Sequence, residues 1–271
     1  MGTLDLEALQ RSLTTRRVGR VLEYRPSTTS TNDEALGLLE RNAEDGVVVL
    51  AEHQSAGRGR FRRSWHSPRG ASVLLSVGLR DLTGQLASGG LGLITATACV
   101  DAIRSICEVR PLIRWPNDLV CHGRKLGGIL VEARRSSARE ATYVVGIGIN
   151  CLQQAGHFPP DLASTATSLE IESAHPVNRT SLVTAVIAEL DRWLAPPMAW
   201  DPPAVRDAWM ARAEPMGQRV YVQHGGRVFS GTMLDLDPQA ALIVQLDEGG
   251  IRAFNAADTT VVAPGGFLKN A

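Results

Sequence analysis

Apolar positions along the chain change texture near residue 213. Before it, stretches with helical spacing alternate with strand-like runs; after it come only short β-prone runs broken by turns. Leu4, Leu6, Leu9 and Leu13 predict a short helix within residues 1–20, and Val21 to Tyr24 a first strand. A second helix opens at Thr31-Asn32-Asp33-Glu34, where Thr31 and Glu34 fit a capping box, and carries Leu36, Leu38 and Leu39. Strands are expected at 47–53, 71–79, 112–115, 128–132 and 143–149, and a buried helix at 91–107. Asn178 caps a helix to about Leu194 with Leu182, Val186, Ile187 and Leu190 on one face, and a short helix follows Pro202-Pro203. Residues 153–175, with Pro159 and Pro160, read as loop. From Arg219 onward, Val220-Tyr221-Val222, Val228-Phe229 and Leu242-Ile243-Val244 alternate with turns at Gly225-Gly226, Asp237-Pro238 and Gly249-Gly250. That spacing predicts a small antiparallel barrel of roughly fifty residues. The expectation is an α+β chain in two units, 1–213 and 214–271.

Composition narrows the function classes. With 271 residues and 44% hydrophobic content the chain can bury a sizeable core. A formal net charge of zero argues against a general nucleic-acid binder. No apolar run reaches the ~18 residues a membrane span needs, and the start lacks the basic and apolar regions of a signal peptide. Cys99, Cys107, Cys121 and Cys151 form no C-x-x-C pair, so free thiols in a cytoplasmic protein are expected, with Cys99 and Cys107 filling the core. The six histidines form no H-E-x-x-H pattern, which argues against a zinc enzyme.

The chemistry concentrates in a few stretches. Gln54-Ser55-Ala56-Gly57-Arg58-Gly59-Arg60 follows a buried apolar run. Glycine lets main-chain N–H groups approach a ligand, and arginine brings a fixed charge and a planar fork of donors for phosphate or carboxylate. It is neither a Walker-A loop nor a G-x-G-x-x-G fingerprint, and a solvated basic turn is the competing reading. Arg114-Trp115-Pro116-Asn117-Asp118 places an aromatic plate and polar groups at a strand end, or is an ordinary strand-to-turn junction. In Lys125-Leu126-Gly127-Gly128-Ile129-Leu130 a lysine precedes a glycine pair and a buried strand, where its ammonium can point into a cleft; a surface lysine is the alternative. Gly146-Ile147-Gly148-Ile149-Asn150 strips one strand face of side chains, as where a ligand lies against backbone.

In this order, together with Ser30-Thr31-Asn32 and Trp65, these motifs resemble the biotin protein ligase family over about residues 20–265. The resemblance implies a class II synthetase-like catalytic domain, a mixed central sheet flanked by helices, followed by a small SH3-like barrel. It implies an enzyme that joins biotin to ATP, with Mg²⁺, to give biotinyl-5′-adenylate, then passes biotin to a lysine of a biotin carboxyl carrier domain. Ser30, Thr31, Asn32, Gln54, Gly57, Arg58, Gly59, Arg60 and Lys125 would line the biotin site, with Gly128 and Gly148 as backbone walls. Arg58, Arg60, Arg63, Trp65, Asn117, Lys125 and Asn150 would face the nucleotide. Lys125 and Arg60 would be catalytic; the motifs name no metal ligand and leave a homodimer open. Arg62 departs from the pattern, standing where many members have glycine. About twenty residues precede the first strand, too few for the helix-turn-helix domain some members use, so no operator binding is expected. A lipoate or octanoyl transferase shares the broader fold, but Arg-Trp-Pro-Asn-Asp and the paired-arginine loop favour biotin. An arginine-loop nucleic-acid module is opposed by the zero net charge and the lysine–glycine strand.

Overall fold

Asp5 starts the first helix by accepting the Ala8 N–H at 2.9 Å. The computed structural model describes residues 3–81, 87–135, 141–195, 201–237 and 239–262. In chain order, α1 (Leu6–Ser12) is followed by β1 (Leu22–Arg25), α2 (Thr31–Glu40), β2 (Val47–Ala51) and β3 (Ser72–Asp81). Next come α3 (Ser88–Ile106), β4 (Leu112–Arg114), β5 (Asp118–Cys121), β6 (Arg124–Arg135) and β7 (Ala141–Asn150). Three helices follow, α4 (Leu169–Glu172), α5 (Arg179–Leu194) and α6 (Pro202–Met210). The chain continues through β8 (Arg219–His224), β9 (Arg227–Leu236), β10 (Leu242–Leu246), β11 (Ile251–Phe254) and β12 (Thr259–Val262).

The first seven strands form one sheet in the order β1-β2-β3-β7-β6-β5-β4. β1 and β2 are parallel and every other pair is antiparallel, so the sheet is mixed. All five residues of β2 are buried because helices cover both faces. Val48 and Leu50 point into the main core with α3 and α5, whereas Val49 packs with Ala35 of α2 and Val144 of β7. α3 has the length and composition of a membrane span, but 67% of that window is buried; it packs on α5, α6 and β6 as the central core helix. The last five strands form a separate antiparallel sheet, β11-β10-β9-β8-β12, closed over Val222, Leu236, Leu242, Val244 and Phe254.

Two buried acids fasten the N-terminal segment. Glu52 at the end of β2 pairs with Arg179 of α5 at 2.6 Å, both nearly inaccessible, and accepts the Leu4 N–H at 2.8 Å. Asp191 of α5 accepts three successive main-chain N–H groups, from Arg16, Arg17 and Val18, each at 2.8 Å.

The structure departs from the sequence expectations in four places. The short helix expected within residues 1–20 is present as Leu6–Ser12, but Leu4 and Leu13 fall outside it. Thr31 is not a cap: Ser30 occupies that position, and the Thr31 hydroxyl is held by Gln54 and Ser76 instead. Glu34, its expected capping partner, accepts from Thr28. β5 was not anticipated; it is four residues long, begins two residues after Pro116, and turns into β6 through His122 and Gly123, both in the left-handed region. The 153–175 loop contains α4. Pro238 of the expected Asp237-Pro238 turn, and residues 263–271 of the second unit, lie outside the described residues.

Removing Arg179 leaves the Glu52 carboxylate buried without its cation. Arg179→Ala is expected to lower stability by about 3 kcal/mol or more, read as a shift in the urea midpoint; an unchanged midpoint would contradict the role given to the pair.

Candidate active site

The N-terminus of α2, the loop after β2, the β4–β5 turn, the start of β6 and the glycine-bearing end of β7 enclose a cavity of about 700 Å³. Sheet order explains the convergence. β7 sits at the centre between β3 and β6, and its register puts Gly148 opposite Gly128 and Gly146 opposite Leu130. Bare backbone is required at two of these positions. A Cβ on Gly146 would lie 2.3 Å from Asn32 Oδ1, and one on Gly148 would lie 2.7 Å from the Trp65 ring. Gly128 is different, since its Cβ would meet Lys125 and Asp118 at 3.5 Å and beyond, which is ordinary contact.

Thr31, Asn32 and Gln54 form one network. Gln54 Oε1 accepts from the Thr31 N–H at 2.7 Å and lies 2.9 Å from its hydroxyl, while the Ser76 hydroxyl of β3 donates to Asn32 Oδ1 at 2.6 Å and lies 2.7 Å from Thr31 Oγ1. Asn32 Nδ2 donates to Glu132 of β6 at 2.6 Å. Glu132 and Asp33 also grip Arg58, Asp33 in a two-pronged pair at 2.6 and 2.8 Å. Hydrogen bonding to Asp33 raises the Arg58 pKa above its ordinary value, with Glu132 adding to it, and Arg58 in turn lowers that of Asp33. So the guanidinium expected to await an anion rests between two internal carboxylates.

Arg60 points the other way. It donates to the main-chain carbonyls of Ala256 in the β11–β12 turn and Thr259 at the start of β12 and, at 3.4 Å, to Asn117 Oδ1. Burial lowers its pKa to about 10. Between these arginines and Ser64 the loop doubles back as a narrow hairpin, Gly59 N–H to Arg63 carbonyl at 2.7 Å, with Phe61 and Arg62 in the left-handed region at φ 54° and 58°. A glycine at 62 would adopt that φ without strain; arginine does so at a cost.

Lys125 Nζ lies 2.7 Å from Asp118 Oδ1 and 5.9 Å from the centre of the Trp65 ring. Its main chain is fixed by Thr165 and Thr167, at 2.7 and 2.8 Å. Asn117 donates to the Ile129 carbonyl; Asn150 donates to the Thr167 carbonyl and accepts from Gln153. The Trp65 indole N–H is buried without a hydrogen-bond partner.

Ser30, Thr31, Asn32, Gln54, Arg58, Gly59, Arg60, Arg63, Trp65, Asn117, Lys125, Gly128, Gly148 and Asn150 therefore all reach the cavity. Gly57 is not among its lining residues; it stands behind, its carbonyl accepting the Trp65 N–H at 2.8 Å. Sequence reasoning missed the acids Asp33, Asp118 and Glu132 as partners of the cations, because no short spacing links them. It also missed the wall contributed by Thr260, Val261 and Val262 of the second sheet.

Residues 24–150 match the profile described as "Biotin/lipoate A/B protein ligase family", and residues 216–259 that described as "Biotin protein ligase C terminal domain". The chain is 34% identical over 253 residues to a biotin–[acetyl-CoA-carboxylase] ligase of Mycobacterium tuberculosis, covering 89% of this chain and 90% of that protein. The chain belongs to the biotin protein ligase family. It is also 30% identical over 255 residues to the bifunctional ligase/repressor BirA of Bacillus subtilis, covering 94% of this chain and 78% of that one. In fold it matches the biotin protein ligase of Aquifex aeolicus, solved in complex with biotin and ATP, with a TM-score of 0.75 and 21% identity over 91% of this chain and all of that one. As in that family, a mixed sheet with flanking helices precedes a small SH3-like β-domain.

Because Asn32 fills the space that bare backbone leaves at residue 146, Gly146→Ala is expected to displace it from Ser76 and Glu132. The loss should be about 1–3 kcal/mol, measured by urea denaturation, and a wild-type midpoint would show that the close approach is not needed.

Proposed function

We propose that the protein activates biotin with ATP to biotinyl-5′-AMP, releasing pyrophosphate, and transfers the biotinyl group to a lysine of a biotin carboxyl carrier domain. The carrying observation is the ammonium of Lys125 beside a glycine-backed wall and between Trp65 and Asp118 in the 700 Å³ cavity. Relatives named as biotin–[acetyl-CoA-carboxylase] ligases support this acceptor class.

The chemistry needs fixed cations. Bringing a carboxylate to a phosphate places like charges about 4 Å apart, a repulsion of roughly 4 kcal/mol at an effective dielectric near 20. Lys125 offsets it, binding the carboxylate of biotin and the α-phosphate together and holding both through in-line attack. Thr31, Asn32 and Gln54, cross-linked to one another, present polar groups to the ureido head, with Ser30 alongside. Arg58, Arg60 and Arg63 face the phosphates, and Trp65, Asn117 and Asn150 the nucleoside. The hairpin loop, closing over the adenylate, keeps water from a hydrolysable mixed anhydride. Mg²⁺ suits this cavity, because Asp118 is the one carboxylate lining it among the described residues and Asn117 adds an amide oxygen. When bound, Mg²⁺ neutralises phosphate charge.

The reading extends to organisation. Residues 1–213 form the catalytic unit and 214–271 the small one: Arg212 and Glu214 still hydrogen-bond to Ile113 of β4, and the second sheet starts at Arg219. A cytoplasmic setting is supported by four free cysteines.

Lys125→Ala is expected to cut biotin-dependent ATP–pyrophosphate exchange about 100-fold or more while leaving the circular dichroism spectrum unchanged; near-normal exchange would refute the role. Lipoate in place of biotin should support no exchange, and equal rates would favour the lipoate branch. Arg60→Ala should release adenylate faster, followed by filtration of preformed intermediate; unchanged retention would count against the loop's closing function.

A further inference from the structure

Three metal-ligating atoms meet where β5 turns into β6, away from any role described above. Cys121 ends β5, His122 begins the turn at φ 48°, and Glu172 ends α4, fifty residues further on. His122 Nδ1 lies 3.6 Å from Cys121 Sγ and 2.8 Å from Glu172 Oε2, and all three atoms fall within 4.8 Å of one another. Bond lengths of about 2.3 Å to sulfur and about 2.0–2.2 Å to nitrogen and oxygen put the corners of a zinc tetrahedron roughly 3–4 Å apart. The sulfur–nitrogen spacing already satisfies this, and the nitrogen–oxygen spacing needs to open by about half an ångström.

The carboxylate is oriented for the task. Glu172 Oε1 accepts from Arg124 at 2.7 Å and from the Thr167 hydroxyl at 2.5 Å, which turns Oε2 toward His122. Outer-shell hydrogen bonds of this kind fix a metal-binding carboxylate. The Glu172 side chain is only 6% accessible whereas that of His122 is 79% accessible, so the site has a firm floor and an open entrance. Sulfur, imidazole and carboxylate together suit zinc better than magnesium or calcium, which take oxygen alone.

The geometry points to a binding site for one zinc-type divalent cation on Cys121 Sγ, His122 Nδ1 and Glu172 Oε2, with water as the fourth ligand. On binding, the thiol proton of Cys121 leaves to solvent and His122 carries its proton on Nε2. The cation would tie the β5–β6 turn to α4. The chain between them includes Thr165 and Thr167, whose main chains hold Lys125. The role is therefore structural, fastening one wall of the cavity from outside it.

The test uses the full chain, stripped with a chelator under reducing conditions and titrated with Co²⁺ alone, then Zn²⁺. The expected result is one Co²⁺ per chain with thiolate-to-cobalt charge-transfer absorption, displaced by one Zn²⁺. Cys121→Ser should abolish the absorption, His122→Ala should weaken Co²⁺ binding at least tenfold, and Cys107→Ser should change neither. His122 is exposed, so His122→Ala keeps the fold and decides the matter even if Cys121→Ser does not fold. No absorption in the wild type, or binding undiminished in His122→Ala, overturns the site.

Discussion

Everything at the cavity depends on how closely side chains approach the backbone of β7. Gly146 and Gly148 leave one face of the central strand open, and two side chains from distant segments move in, Asn32 from α2 and Trp65 from the arginine loop. Asn32 in turn fixes Glu132, and Glu132 fixes Arg58. One pair of missing side chains thus sets the position of a helix end, a loop and a charged network. Interiors are packed tightly enough that one methyl group at either glycine would propagate through all of them.

Three of the cations lining the cavity are paired with carboxylates of the chain itself. Arg58 rests on Asp33 and Glu132, Lys125 on Asp118, and Arg114 on Glu214. At these three cations an incoming anion exchanges with resident acceptors. Such exchange costs little when the new partner is as good as the old, and it lets the cations stand in a half-buried site without the desolvation penalty of isolated charges. Main-chain pairing between Gly59 and Arg63 holds the arginine loop in a hairpin despite two left-handed non-glycine residues at its tip.

Much of this was legible in the order of the residues. The buried strands announced themselves by unbroken apolar runs such as Val47–Ala51, and the second sheet by its turns. The cavity was legible because glycine and arginine are informative residue types: each has few reasons to sit beside a buried strand. What could not be read was pairing across distance. Asp33 and Glu132 look like ordinary surface acids until folding brings them, 25 and 74 residues away in sequence, onto Arg58. Thr31 and Glu34 had a valid local pattern, yet Gln54 and Ser76 claimed the threonine hydroxyl, a case of tertiary contacts overriding a capping preference. β5 escaped because four residues behind a proline carry too little periodicity, although the left-handed His122-Gly123 turn is what a tight hairpin requires.

The Arg60 guanidinium is tied to the second sheet through the carbonyls of Ala256 and Thr259, not through side chains. Every amino acid supplies a carbonyl. The identities at these two positions are therefore free to drift over generations without cutting the tie, provided the path of the chain is kept. Inserting or deleting a residue there, by contrast, would sever it at once.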